Sequence, residues 1–575
     1  MYAIVVNYNG MLTCLILSVL PLPPPRGIAN HSLMISISHL KPLLIGALFA
    51  VPAYAEDRPS SLPLTPGPFA PSWQSLSQYQ FPDWFRDAKF GLWAHWGPGN
   101  QPEMGDWYGR NLYIQGHRQN KHHVDNYGHP SNFGFKDICN EWKAEKFDPE
   151  AMMAIYKDAG AQYFVALANF HDNFDMWNSK HQPWNAVNVG PKRDIIGLWA
   201  KAAKQAGLRF GVSMHASSAW SWYEVSQLSD PEGPRKGVRY DGHLTKADGV
   251  GKWWEGLDPQ ELYAQYGHKI SPNVLNRKEA WLNPGDSPSK AYLDKYYNRV
   301  RDVVSSYQPD LVYFDDARLP LDWADITYGL HILADIYNQS VARNAGKNDA
   351  VVNTKKLNKE QRKALVFDFE TGVPRDILPE PWQVDVSLGV WHYQKGDKYK
   401  KADRVVRALA DVVSKNGNML LVVPLRADGT MDDQGQEILK DVGVWLRQNG
   451  EAIYGTRPWK RYGEGPSTLE EVPDIPKGGI PVFRKAMYTA EDIRFTTKGG
   501  VLYAVVLNWP SNGSVKISSL GINEPGEITK VQMLGAAGDL RYSRTAEGLE
   551  VEMPGQPPGN FAYVLKIEGL GRGSQ

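Results

Sequence analysis

The chain has 575 residues, with 63 basic and 63 acidic side chains, so its formal net charge is zero. That balance argues against a nucleic-acid partner or a polybasic membrane surface, and the length implies two or more domains. Twenty Trp and 28 Tyr supply rings that can fill a core or stack on the apolar faces of sugars.

The N-terminus reads as a targeting region. Residues 34–55 carry Lys41, an apolar stretch from Leu43 to Val51, and then Ala53-Tyr54-Ala55. Those are the parts of a secretory signal peptide, with cleavage expected before Glu56. The apolar stretch is too short to span a bilayer. Residues 1–55 are therefore expected to form a signal region with Met34 as the true start, and the mature protein to be secreted or periplasmic. Cys139 is then the single cysteine, which excludes an internal disulfide. A Pro/Ser-rich linker is expected over residues 56–75.

Beyond it, strand-like and helix-like pieces alternate. Strands are predicted over 90–96, 163–169, 209–215, 311–315, 350–354, 365–370, 383–388 and 419–424. Helices are predicted over 149–159, 195–206, 289–307 and 403–414. Alternation of this kind implies parallel strands joined by right-handed crossovers. Eight such units fit a (β/α)8 TIM-like barrel over residues 76–460, with long loops. A doubly wound sheet is the alternative, but no glycine-rich phosphate loop follows the first strand. The connection 217–288 holds Trp220, Trp222, Trp253, Trp254 and Trp281; its length marks a lid or an inserted subdomain. From 461 to 575 short β-branched runs separated by turn residues predict a β-sandwich domain.

Polar residues collect at the predicted strand ends. His95 follows the first strand, His171-Asp172 the second and His215 the third. Asp315-Asp316 ends the fourth, Asp368 and Glu370 the sixth, and His392 follows Trp391 near the seventh. The run Leu311-Val312-Tyr313-Phe314 ends in two adjacent carboxylates, which are costly to bury unpaired. Side chains alternate along a strand, so one of the two points inward. The plain alternative is a loop that begins one residue early. C-terminal strand ends are where barrel enzymes keep their catalytic groups. A single such His is more often structural than catalytic, but the cluster is hard to explain by packing.

Two chemistries compete for this cluster. His95, His171, Asp172 and Asp315 could bind a metal, but that reading expects a His-x-His pair or a bridging Lys, and neither is evident. The other is a sugar pocket, where one carboxylate attacks the anomeric carbon and another protonates the leaving oxygen. There His and Asn hold hydroxyls, and Trp and Tyr stack on the ring. No metal and no cofactor are expected.

Four motifs carry a resemblance. The first is Trp84-Phe85-Arg86-Asp87-Ala88-Lys89-Phe90-Gly91, running into Ala94-His95-Trp96-Gly97. The second is His171-Asp172-Asn173-Phe174 with Trp177, Trp184-Asn185 and Gly190-Pro191-Lys192-Arg193-Asp194. The third is Phe314-Asp315. The fourth is Val413-Ser414-Lys415-Asn416-Gly417-Asn418, followed by Asn449-Gly450-Glu451-Ala452. In order and spacing the chain resembles the α-L-fucosidases of glycoside hydrolase family 29, over residues 81–457. The resemblance implies a retaining exo-glycosidase that cleaves terminal α-L-fucosides by double displacement. It aligns Asp315 with the nucleophile, with Asp316 standing where many members carry Gly. Glu370 is taken as the acid/base, with Glu380 and Glu103 in reserve. His95, His171, Trp107 and Tyr113 match sugar-pocket positions, and His215, Trp382 and Trp391 complete the expected substrate-binding set. The implied partner is an oligosaccharide bearing fucose or a related L-sugar; the oligomeric state is not set by the sequence.

Three departures stand out. Phe170 replaces a His common in the family, Met214-His215 ends the third strand where Tyr-Tyr is usual, and the loop after it is very long. A lost hydroxyl partner changes discrimination, because buried polar groups penalise mismatches. The alternatives are therefore an α-L-galactosidase or a non-catalytic carbohydrate-binding protein.

Overall fold

The eight apolar runs fold as eight parallel strands that close on themselves. They are β1 (Phe90–Ala94), β2 (Tyr163–Asn169), β3 (Arg209–Met214), β4 (Leu311–Ala317), β5 (Val351–Lys355), β6 (Val366–Asp368), β7 (Trp382–Ser387) and β8 (Gly417–Val422). Each pairs with the next, and β8 returns to β1. The computed structural model describes residues 62–276, 287–468, 480–483 and 488–570. In the unit Met1–Ser60 it describes only Asn7–Tyr8 paired with Met11–Leu12. Apart from those four residues, the predicted signal region 1–55 lies outside the described residues.

The strands are buried on both faces, so they read as near-continuous apolar runs rather than as alternation. Alternation still decides which way each side chain points. Trp93, Val165, Leu311, Tyr313, Val351, Val366, Leu420 and Val422 fill the barrel interior. Val312, Phe314, Val352, Phe367, Val384 and Val386 face the surrounding helices. Phe85 and Ala88, from the helix Asp83–Ala88, pack into the same interior cluster.

Among the described residues, six helices line the outside: α1 (Pro149–Asp158), α2 (Ile195–Gln205), α3 (Lys290–Tyr307), α4 (Asp322–Arg343), α5 (Ala402–Ser414) and α6 (Asp433–Asn449). Four of them, α1, α2, α3 and α6, start on a side-chain cap. Asp148 accepts from the Ala151 amide with Pro149 next to it, and Asp194 accepts from the Gly197 amide. Each satisfies an amide that the first turn leaves unpaired. The connections from β5 to β6 and from β6 to β7 contain no α-helix.

The predicted linker is not loose. The Thr65 amide donates to Asp335 Oδ1 at 2.7 Å, and Asn338 Nδ2 donates to the carbonyls of Thr65 and Phe69. Asp335 and Asn338 both sit on α4, so the segment after residue 61 is bound to the barrel.

The C-terminal part is the expected sandwich. A five-stranded antiparallel sheet runs Arg457–Glu464, Ile493–Lys498, Val501–Val506, Tyr563–Glu568, Lys530–Met533. A three-stranded sheet runs Ser514–Ile517, Gly548–Glu552, Tyr542–Thr545. Phe495 and Leu565 from one sheet share a core with Ile517 and Val551 from the other. The boundary placed at 460/461 is corrected, because it cuts through the strand Arg457–Glu464. Sandwich and barrel meet at α5, where Arg494 Nε donates to Asp411 Oδ1 at 2.5 Å. Lys415 Nζ holds the other Asp411 oxygen at 2.9 Å.

Candidate active site

The period of two carries several interior positions out to the barrel mouth. Trp93 leads to His95, Ser213 to His215, Tyr313 to Asp315, Asn353 to Lys355 and Asp368 to Glu370. Trp93, His95, His215, Asp315, Lys355 and Glu370 line a cleft of about 880 Å3, together with Phe170, His171, Asp385 and Trp391. The connections above add Asp106, Trp107, Asn111, Ser218, Trp220 and Ser221, and the start of α4 adds Trp323.

Asp315 is the centre of the polar contacts. Its Oδ1 accepts from Lys355 Nζ. Its Oδ2 lies 3.1 Å from His215 Nδ1 and 3.3 Å from His171 Nε2. His171 Nδ1 is 2.8 Å from the His215 carbonyl, which can only accept, so that nitrogen bears a hydrogen. Burial alone would raise the Asp315 carboxyl. The Lys355 charge and the two imidazole contacts override it and hold the group well below the usual carboxylate range. Burial lowers His215 to about 4 despite its Asp315 partner, and pushes His95 well below its usual value. Asp316, the neighbour of Asp315, has a side chain outside the described residues.

Lys355 also holds Glu370, whose Oε2 lies 2.9 Å from Nζ. One ammonium therefore touches two carboxylates. Those two contacts raise Lys355 well above its ordinary value although burial pulls it down. Glu370 sits in a tight turn. Its amide donates to Asp368 Oδ1 at 2.9 Å, and Glu370 and Thr371 both have positive φ, 21° and 60°. Consecutive non-glycine residues in this region store strain, and such strain concentrates at functional positions. Beneath it, burial and mutual repulsion raise Asp385 well above the usual range, and burial raises Asp368 as well. Two carboxylates this close do not both ionise. The Tyr313 hydroxyl donates to Asp385 Oδ2 at 3.2 Å.

Of the predicted site residues, Asp315, Glu370, His95, Trp107, His171, His215 and Trp391 meet in the cleft. Tyr113 and Trp382 do not, and both are corrected. The Tyr113 hydroxyl donates to Asp241 Oδ1 at 2.7 Å and accepts from the Phe135 amide at 2.9 Å, inside the packing beneath the long loop. Trp382 begins β7 and faces the outer layer. Its indole donates to the Lys415 carbonyl at 2.8 Å and covers Gly417, where any Cβ would lie 2.4 Å from the ring. Glu380 interacts with Arg362 and Lys363, and neither it nor Glu103 lines the cleft.

Lys355, Asp385, Trp220 and Trp323 were not singled out as site residues by the sequence reasoning. Lys355 stands one residue past the predicted end of the fifth strand, where a Lys reads as a solvated strand end. One ligand atom each from His171, His215 and Asp315 falls within 4.8 Å of the others, a spacing that could hold a cation. The Lys355 ammonium already rests on Asp315, so a second cation there would meet like-charge repulsion.

The α-L-fucosidase family model matches residues 59–451, and the model of the α-L-fucosidase C-terminal domain matches 487–568. The chain belongs to the α-L-fucosidase family. It is therefore a glycoside hydrolase. Mouse (Mus musculus) tissue α-L-fucosidase is 28% identical over 524 residues, covering 88% of this chain and 95% of that protein. The human (Homo sapiens) tissue enzyme is 27% identical over 523 residues, covering 88% and 93%. Among solved structures, Thermotoga maritima α-fucosidase in complex with a mechanism-based inhibitor has a TM-score of 0.63 at 25% identity. That match covers 87% of this chain and 99% of the other.

Proposed function

We propose that the protein is an exo-acting α-L-fucosidase that hydrolyses with retention through a covalent glycosyl-enzyme. The observation that carries this reading is the shared contact of Asp315 and Glu370 with Lys355 Nζ. A single ammonium between two carboxylates keeps their facing oxygens within the roughly 5–5.5 Å that retaining glycosidases use, short of the roughly 6.5–9.5 Å that leaves room for an inverting water.

The roles follow from the electrostatics. Asp315 is ionised across the working range and attacks the anomeric carbon through one oxygen. Lys355, His171 and His215 orient it. As the bond to the sugar forms, the Asp315 charge is neutralised, so Lys355 is left to interact with Glu370 alone. Glu370 is the remaining carboxyl group at the rim; it enters the step protonated, gives that proton to the leaving oxygen and is left as a carboxylate. It then takes one from the water that opens the intermediate. His95 Nδ1 and His215 Nε2 are buried without a hydrogen-bond partner and are available to ring hydroxyls. Phe170 lines the cleft and offers no hydrogen-bond partner to a sugar hydroxyl, so it bears on the preference between a 6-deoxy L-sugar and L-galactose. An aryl α-L-fucoside and an aryl α-L-galactoside assayed side by side measure that preference.

The acid/base assignment is tested by chemical rescue. Glu370→Ala is expected to lose turnover on an aryl fucoside with an activated leaving group and to recover it with azide, yielding a glycosyl azide. Rescue at Glu380→Ala or Glu103→Ala but not at Glu370→Ala would move the role.

A further inference from the structure

Trp323 is an exposed large apolar residue, 43% accessible, at the rim of the catalytic cleft. It stands eight positions after Asp315, in the first turn of α4, the helix that follows β4. A single exposed ring is ordinary on a protein surface, but this one lines a polar cleft and is backed by a second indole. Its backing is built. Trp323 stacks on Trp220, with centroids 5.6 Å apart and planes 29° from parallel. Trp220 is only 3% accessible and comes from the long loop after β3. The edge of His268 meets the Trp220 ring at 4.5 Å. His268 is fixed in turn by buried Glu224, at 2.6 Å from its Nε2. Glu224 also accepts from the Ser271 amide at 3.1 Å. The Trp220 indole nitrogen is buried without a hydrogen-bond partner. One unpaired polar nitrogen and one open ring face thus sit together on the cleft wall.

We propose that Trp323, held by Trp220, is the platform for the sugar that carries the scissile bond, so that the leaving group is a neutral pyranose rather than a small alcohol. This rests on the fucosidase reading above. The leaving group exits on the side of the residue that protonates it. Glu370 follows β6, Trp323 opens the helix that follows β4, and both line the same cleft. A pyranose in its chair form presents a continuous face of C–H bonds, which an indole plane covers well, while its hydroxyls supply acceptors for a stranded N–H. The platform makes no demand on the chemistry at Asp315. It therefore acts as a specificity-determining surface and not as a catalytic one.

The test uses the full chain and two substrates that differ only in the leaving group: α-L-fucosyl fluoride, which has none to stack, and an α-L-fucosyl-hexose disaccharide. For Trp323→Ala, the ratio of kcat/KM for the disaccharide to kcat/KM for the fluoride is expected to fall at least about tenfold. Trp323→Phe should restore most of it. An unchanged ratio, with both substrates affected equally or neither affected, would overturn the platform while leaving the fucosidase reading intact. No turnover of the fluoride by the unaltered protein would overturn both. Trp220→Phe keeps the stack but removes the indole N–H. A ratio that falls there as well supports the hydrogen bond, and a ratio that rises would contradict it.

Discussion

Two buried clusters in this molecule have nearly the same ingredients and opposite character. Under the long loop, Lys136 Nζ donates to Asp137 Oδ2 at 2.5 Å and to Asp241 Oδ2 at 2.9 Å. Tyr113 and Tyr263 donate to Asp241 at 2.7 and 2.8 Å, and Trp253 donates to Asp137 at 2.8 Å. None of these polar side-chain atoms is buried without a partner. At the barrel mouth, Lys355 likewise holds two carboxylates. Around it, however, His95 Nδ1, His215 Nε2 and Asp385 Oδ1 are buried without partners. A cluster that closes on itself is a fastener, here tying Asp241 and Tyr263 of the long loop to the helix Phe135–Glu141. A cluster with open valences is a socket. Composition does not separate the two; satisfaction does.

The sharpest way to break this contrast is Asp315→Ala. Turnover of an aryl fucoside is expected to fall at least about a thousandfold, measured by released phenol; a rate near that of the parent protein would sink the nucleophile assignment. Next come the two lysines. Lys355→Met is expected to lower kcat by about a hundredfold, on the scale of losing one pre-placed charge at the reacting centre. Lys136→Met is expected to act on stability, by about 3–5 kcal/mol, because it leaves buried Asp241 uncompensated. Parallel chemical denaturation and kinetics separate these effects, and a Lys136 variant that melts normally but has lost turnover would merge the two classes.

The smallest expected effect concerns pH. Burial raises the Asp172 carboxyl to about 7 in the folded protein, whereas an unfolded Asp titrates near about 3.9. Between those values the folded state holds a proton that the unfolded state has released. This group's contribution is therefore fully present below about 4 and is lost as pH rises towards about 7. Asp172→Asn should flatten that part of the stability profile, read as Tm against pH. A profile unchanged by the substitution would remove Asp172 as a contributor.

Much of this was legible in the sequence because strands buried on both faces advertise themselves. The predicted and observed strands coincide along the whole barrel, differing by a few residues at their ends. Asp315 was legible for the same reason, as a charge placed where an apolar run stops. Lys355 was overlooked because a Lys after a strand is ordinarily a solvated end, and only the fold shows two carboxylates converging on it. The resemblance places Tyr113 in one motif with Trp107, and the structure separates them. The intervening helix Tyr108–Asn111 turns the chain away from the cleft, which spacing alone does not reveal. Trp382 was an avoidable error. It opens its strand rather than ending it, and it differs in phase from Asp385, which alternation sends to the inside. Trp323 leaves no periodic trace, since exposed rim residues obey no packing rule.

The ion pair between Arg494 and Asp411 has a practical reading. Asp411 lies on α5, the crossover that joins the strand bearing Asp385 to the strand that seals the barrel against β1. Cutting away the last hundred or so residues would strip a buried carboxylate of its guanidinium at the one seam where the ring of strands is stitched shut. The C-terminal sheets are thus a splint for the catalytic half, and a minimal active fragment of this chain has to retain them.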